Sequence, residues 1–499
     1  MNSENSRWAH FDPASFSFQF SSIFTEIAPK DLVSALRAIP PRVLTHEVAH
    51  AFQVGATAAG IRFWSETQIF ISTILEAASV VVRNCDGTLP LGLVYLRDEF
   101  ANDPENGRIQ NGQALRNAAT YRSEFLGGGE TTISPRDEEL EGMLWMPGTR
   151  FFFQPRTWIK GIGVREHSTH FRIYSKDNIG SPRLVQLGAI HLLEGQGASA
   201  EEMRIASELA EESWETIRDA INNVRQQRPT NPYFFAEYMY QSIACEGRIP
   251  SPWEFALVVD TSLMLGRADG DAVISFDNAF PFDHFLTFLE IMGSTPSLAL
   301  ENYEDPKDAL AFQNALLGAA GVKETMLELS QRLPKLIDQV TTRAEGGLFR
   351  SLIPFVKTTM EEMVDLRFEF GGLSPTIPLA VSDIENLIEI AADIPLSIGS
   401  TQWTRAECGV NPGLFDAKKL HHVQTVIDEM AFGPTSQGCP FIADCALPRR
   451  KACFELTMSL MPSEEQCPRE GLIADFVSLL GIKRIAYDPT YYPADLVEG

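Results

Sequence analysis

The chain is short of basic residues, of paired cysteines and of long apolar runs, and each shortage removes a class of function. Lys and Arg number 41 against 66 Asp and Glu, for a formal charge of −25. So acidic a chain repels phosphate backbones at long range, and no nucleic acid is expected as a partner. The seven cysteines include no Cys-x-x-Cys pair. Five of them, Cys408, Cys439, Cys445, Cys453 and Cys467, fall in the last quarter without regular spacing, which fits free thiols better than a disulfide framework or a metal cluster. No run approaches about 18 apolar residues, and Met1-Asn2-Ser3-Glu4-Asn5-Ser6-Arg7 has neither the basic start nor the apolar core of a secretory leader. A soluble, cytoplasmic chain with no membrane partner is the expectation. Phosphate-cradling loops are missing too, since Gly127-Gly128-Gly129-Glu130 lacks the following Lys and Ser/Thr.

What remains is an ordinary globular composition, 44% apolar and 21% charged over 499 residues, too long for one typical domain. Phe16, Phe18 and Phe20 alternate with Ser15, Ser17, Gln19 and Ser21, which predicts an edge strand. From Pro29 the apolar period changes to 3.6, predicting helices over Asp31 to Ile39, Arg42 to Ala56 and Arg62 to Arg83. Residues 84–158 are rich in turn formers and read as an insertion with a few strands, such as Leu91 to Leu96. A strand is expected over Thr169 to Tyr174 and a helix from Leu184 to Arg225, with further helices beyond Pro232. The predicted fold is mainly α with a small antiparallel or mixed β-sheet. It divides into a metal-site domain at 1–230, a helical region at 231–400 and a Cys-containing region at 401–499.

One stretch carries chemistry. Leu44-Thr45-His46-Glu47-Val48-Ala49-His50 holds His-Glu-x-x-His inside an apolar helical pattern. With nine histidines in the chain, such a match arises by chance in roughly one chain of this composition per hundred. Residues four apart on a helix lie about 40° apart around its axis, so His46 and His50 project from one face and can share one Zn²⁺. Glu47 beside them suits a general base rather than a ligand. Gln53, just under one turn past His50, could orient a ligand through its amide.

Two histidines do not complete a site. The longer signature with a third histidine is excluded, because its Gly and His positions hold Gln53 and Ala56. Among acids on the next helix, Glu66 comes early and Glu76 late for a compact arrangement. Further on, Leu192-Leu193-Glu194-Gly195-Gln196-Gly197-Ala198-Ser199-Ala200-Glu201 places two glycines in a helical context. Each glycine costs about 1 kcal/mol relative to Ala there, which argues for a close helix-on-helix approach. Here the sequence resembles gluzincin-like metallopeptidases of the zincin superfamily, whose Glu-Gly helix supplies the third zinc ligand. Glu194, Gly195 and Glu201 agree with that pattern, while Gly197 stands at its usual alanine and Ser199 where tyrosine is common. The resemblance implies a zincin-like core, Glu194 as third ligand and Glu201 as a supporting acid. Glu76 and Glu66 stay open as alternatives. His191 is one turn before Glu194 and offers a second contact around the ligands, and His167, His170 and Tyr174 are further candidates to stabilise an oxyanion.

The expected function is zinc-dependent hydrolysis of a peptide or protein substrate. The alternative is a non-enzymatic interaction protein with a structural or relic metal site, binding a protein partner through its helical region.

Overall fold

The computed structural model describes residues 9–13, 16–20, 31–101 apart from 91, 188–209, 231–245, 251–265, 281–300, 305–344, 352–398 and 401–403, with strands between 130 and 186 and isolated positions elsewhere. Helices dominate these residues and small sheets join them, in a mainly α fold. The cysteines after position 400, and His167, lie outside the described residues.

The chain opens with an antiparallel hairpin, β1 (Ala9–Asp12) and β2 (Ser17–Phe20). Two further small groups follow. Strand β3 (Thr88–Pro90) pairs in parallel with a late strand, and β4 (Glu130–Thr132), β5 (Leu144–Trp145), β6 (Phe151–Gln154), β7 (His170–Ser175) and β8 (Asn178–Gln186) form one antiparallel sheet in the order β4-β8-β7-β6-β5. Strands β4, β5 and β6 of the turn-rich region therefore join the sheet that precedes the Glu194 helix. Strands β9 (Leu396–Ile398) and β10 (Thr401–Trp403) extend the first hairpin into a mixed sheet of order β1-β2-β9-β10, and β11 (Arg484–Ala486) is the partner of β3. Two expectations are corrected. Strand β2 is interior rather than an edge, because β9 runs parallel beside it, and Ser17 is as buried as the phenylalanines around it. Where a strand is expected over Leu91 to Leu96, the described residues 92–96 hold a 3₁₀ turn at Leu93–Tyr95.

Helix α1 (Leu32–Ala38) is capped by the Asp31 side chain, which accepts from the Ser34 N–H. Pro40 and Pro41 then stop α1 and start α2 (Pro41–Gly55), whose fixed proline φ suits a first turn. Thr57 caps α3 (Ala58–Asn84), a 27-residue helix. Helix α3 is long and apolar enough by composition to cross a bilayer, a length of apolar helix that counting unbroken runs overlooks. Here 61% of its most apolar window is buried as a core element. A short α4 (Asp98–Ala101) follows.

Helix α5 (Ala189–Glu208) begins only after β8, so Leu184 belongs to a strand and not to the helix expected there. Next come α6 (Pro232–Ile243), α7 (Pro252–Met264), α8 (Pro281–Ser294), α9 (Pro306–Ala319), α10 (Met326–Ser330), α11 (Leu333–Ala344), α12 (Ile353–Glu369), α13 (Thr376–Ala380) and α14 (Ile384–Ala391). Helix α5 lies between α2 on one side and α6 and α7 on the other. One apolar cluster runs from Phe11 to Ala431. Among the described residues, that cluster takes in side chains from both sides of position 230.

Arg367 on α12 ties this centre together. Its guanidinium donates to Ala56 O at the end of α2 (2.9 Å), to Gly372 O (3.0 Å) and to Asp260 Oδ2 on α7 (2.5 Å). Both charges are fully buried. Such a pair costs its desolvation, and here the end of α2, helix α7 and the turn that closes α12 supply the partners that offset it.

Candidate metal centre

Helices α2 and α5 pack antiparallel, as their paired side chains show. Arg42 and Thr45 near the start of α2 meet Glu201 and Arg204 late in α5, while Gln53 near the end of α2 meets Leu193 and Gln196. Between these pairs the two histidines meet Glu194. His46 Nε2 and His50 Nε2 are 3.0 Å apart, and Glu194 Oε2 lies 3.3 Å from the first and 3.4 Å from the second. A tetrahedral ion with bonds of about 2.0–2.1 Å separates its ligand atoms by about 3.3–3.4 Å. The triangle of donor atoms therefore matches one face of a zinc coordination shell, and among the described residues these three form a group able to hold a metal.

Why α5 can come so close is written in Gly197. A Cβ there would sit 2.9 Å from His46 Cε1, 3.0 Å from Nε2 and 3.1 Å from Nδ1, so the imidazole lies against bare backbone. Gly195 serves a different neighbour, since its missing Cβ makes room for Phe255 on α7. Of the two glycines, only Gly197 accommodates the His-Glu-x-x-His helix.

The charges around the triangle are coupled. Burial opposes a charge on His50, but the Glu194 carboxylate and its hydrogen bond, helped by Glu47 and Gln53, raise its pKa to about 9. Burial likewise opposes the charge on Glu194, and the two imidazoles more than reverse this, holding it well below the usual carboxylate range. The cluster is thus built to accept positive charge. Glu47 lies outside the triangle and is only 4% exposed. Burial raises its pKa, while His46, His50 and the Phe11 main-chain N–H on β1 pull the other way. Its Oε2 is buried without a hydrogen-bond partner.

No family model, curated protein or solved structure matches the chain. The centre therefore rests on its own geometry.

Around the triangle, Gln53 Oε1 lies 2.8 Å from His50 Nδ1, so this glutamine is buried structure rather than helix surface. Glu201 Oε2 stands 3.8 Å from His46 Nδ1, beyond hydrogen-bond length, with Arg42 on its other side. His191 accepts from the Gly188 N–H through Nδ1 and packs edge-on against Phe235 and Phe282. That makes it a capping residue of α5, and burial lowers its pKa to about 4. The other carboxylates weighed as ligands are elsewhere: Glu66 faces Arg343 at 3.9 Å, and Glu76 is exposed. His170 and Tyr174 lie on β7, whose side chains are outside the described residues.

Sequence reasoning missed Gln196, Arg204 and Tyr233. Arg204 donates to Ser382 O (2.6 Å), Leu379 O (2.7 Å) and Thr45 Oγ1 (3.3 Å), bolting α5 to α2 and to the α13–α14 turn. The Tyr233 ring, on the first turn of α6, stands 5.5 Å from the His46 ring and is 40% exposed. Gln196 falls at an unspecified position of the Glu-Gly pattern, Arg204 and Tyr233 fall in no motif, and no local signal marks any of them.

Proposed function

We propose that this protein is a zinc-dependent hydrolase of peptide bonds, with His46, His50 and Glu194 holding the metal and Glu47 acting as general base. The observation that carries this is the triangle of His46 Nε2, His50 Nε2 and Glu194 Oε2, with edges of 3.0, 3.3 and 3.4 Å. Its resemblance to the gluzincin-like His-Glu-x-x-His and Glu-Gly helices supports the same reading. When bound, zinc would polarise a substrate carbonyl and lower the pKa of a water molecule towards roughly 7.

The remaining work falls to the chain's own residues. Glu194 supplies the negative charge that makes the centre neutral enough to hold a dication in a buried setting. Gly197 keeps the His46 ring in place against α5. Glu47, one residue past His46, turns a different face of α2 from the ligands. Its raised pKa suits a group that takes a proton from water and passes it to a leaving amine.

The second reading, a structural metal site in a non-enzymatic protein, is favoured by one observation. Glu47 is nearly enclosed, with the Phe11 N–H of β1 on its carboxylate. Metal content and activity separate the two. About one zinc per chain is expected, lost in His46→Ala and Glu194→Gln but kept in Glu66→Gln, Glu76→Gln and Glu47→Gln. Peptide hydrolysis that disappears in zinc-loaded Glu47→Gln supports the enzyme, and zinc without hydrolysis supports the structural site. A chain that takes up no zinc refutes both.

A further inference from the structure

Two buried glutamines connect the centre to the far side of α5, and the direction of their hydrogen bonds can be worked out from groups that have no choice. Ala256 O on α7 is a main-chain carbonyl and only accepts. Gln196 must therefore turn its Nε2 towards it, at 2.9 Å, which leaves Gln196 Oε1 facing Gln53. Gln53 Nε2 donates to that oxygen at 2.8 Å and also to Leu193 O, a second group that only accepts, at 3.0 Å. The remaining atom, Gln53 Oε1, then points at His50 Nδ1 at 2.8 Å. A carbonyl oxygen cannot donate, so the ring proton sits on Nδ1, and a neutral imidazole with its proton there has a bare Nε2.

We propose that Gln196, acting through Gln53, is a positioning residue that holds His50 in the tautomer whose Nε2 lone pair faces a divalent cation. The inference rests on the metal reading above. Gln53 and Gln196 are 2% and 1% exposed, so water cannot take over either bond. If the Gln53 amide turned over, its NH₂ would face Nδ1 and force the proton onto Nε2, the atom needed for the metal. Gln196 and Leu193 O both oppose that turn. The relay thus runs from α7 through α5 to α2, and it holds the proton on Nδ1 at a site where the Glu194 carboxylate, 3.4 Å from Nε2, would otherwise draw it onto that atom.

Zinc affinity of the full chain, measured by competition with a chromophoric chelator, tests this in wild type, Gln53→Met, Gln196→Met and the double variant. Gln53→Met should weaken zinc about 10- to 100-fold, and Gln196→Met about tenfold, since Leu193 O still holds Gln53. In the Gln53→Met background, Gln196→Met should change nothing further, because its effect passes only through Gln53. A residue that merely fills space would lower affinity equally in both backgrounds, and that result, or wild-type affinity in Gln196→Met, overturns the proposal. Should Gln196→Met fail to fold, Gln53→Met alone decides: it removes the acceptor towards Nδ1, so the loss of about 10- to 100-fold is expected and wild-type affinity overturns the tautomer argument. A wild-type chain without zinc, or uptake that survives His46→Ala, instead overturns the metal reading itself.

Discussion

Gly197→Ala adds one methyl group, and its consequences separate metal binding from folding. The new Cβ would lie 2.9–3.1 Å from three atoms of the His46 imidazole, where ordinary contacts begin near 3.4 Å. The ring must therefore retreat by roughly 0.3–0.5 Å. It has little room, since it is 5% exposed and stands edge-on to His50 with ring centroids 4.7 Å apart. Two terms act on the fold: overpacking costs about 1–3 kcal/mol, and replacing glycine in a helix returns about 1 kcal/mol. The metal-free protein should lose about 0–2 kcal/mol. Zinc binding suffers more directly, because a ligand moved by several tenths of an ångström on a bond of about 2.0–2.1 Å no longer matches its partners. A loss of about 10- to 100-fold in affinity is expected, which removes about 1.4–2.7 kcal/mol of zinc-induced stabilisation. Gly195→Ala is the matched control, since its Cβ meets Phe255 Cζ at 3.1 Å and no ligand. Chelator competition, with melting of metal-free and zinc-loaded protein, reads all of these quantities. Equal zinc affinity in Gly197→Ala and Gly195→Ala would refute the claim that Gly197 exists to seat His46.

Two further outcomes test the frame around the centre. Arg367→Met removes one side of a fully buried pair and leaves the Asp260 charge with the Gln313 amide in place of a cation, so urea unfolding should show a loss of about 3–5 kcal/mol; a loss under about 1 kcal/mol would show the pair is not integral to the core. His191 has a folded pKa of about 4 against about 6.5 when unfolded, so the unfolded chain takes up its proton first and the contribution of this group is lost as pH falls from 6.5 towards 4. Between pH 7 and 5, wild type should therefore lose about 2 kcal/mol more stability than His191→Gln, and equal losses would contradict a buried neutral imidazole.

The legible parts of this protein were those whose cause is local. Helix α2 followed from Pro40-Pro41 and a 3.6-residue apolar period, and its histidine pair followed from the same period. Helix α3 was visible for the same reason. Strand β2 was visible, but its place in a sheet was not, because the strand that covers it comes from residues 396–398. The start of α5 was misjudged since Leu184 continues a pattern that suits either a strand or a helix. Only the pairing of β8 with β7 and β4 decides between them.

The proposed third ligand shows where spacing stops being informative. Glu194 lies 148 positions after His46, and a five-stranded sheet intervenes, so no rule of short intervals could have reached it. What pointed there was the resemblance to a Glu-Gly helix, and beside it a cost: two glycines in one helix need a reason. Their reasons turned out to be different, one a histidine on α2 and the other a phenylalanine on α7, and a sequence shows the cost without naming the neighbour. The same limit explains Gln53. Amphipathic reasoning assigns a polar residue to a wet face, yet α2 is buried from Leu44 through Phe52 to Gly55 on nearly every side. In a helix enclosed in this way a polar side chain must find its partners inside the protein. Gln53, Gln196 and Arg204 accordingly each donate to a main-chain carbonyl of a neighbouring element. Burial of polar groups around a histidine pair, rather than the pair alone, is what distinguishes a held ligand set from two histidines that share a helix face.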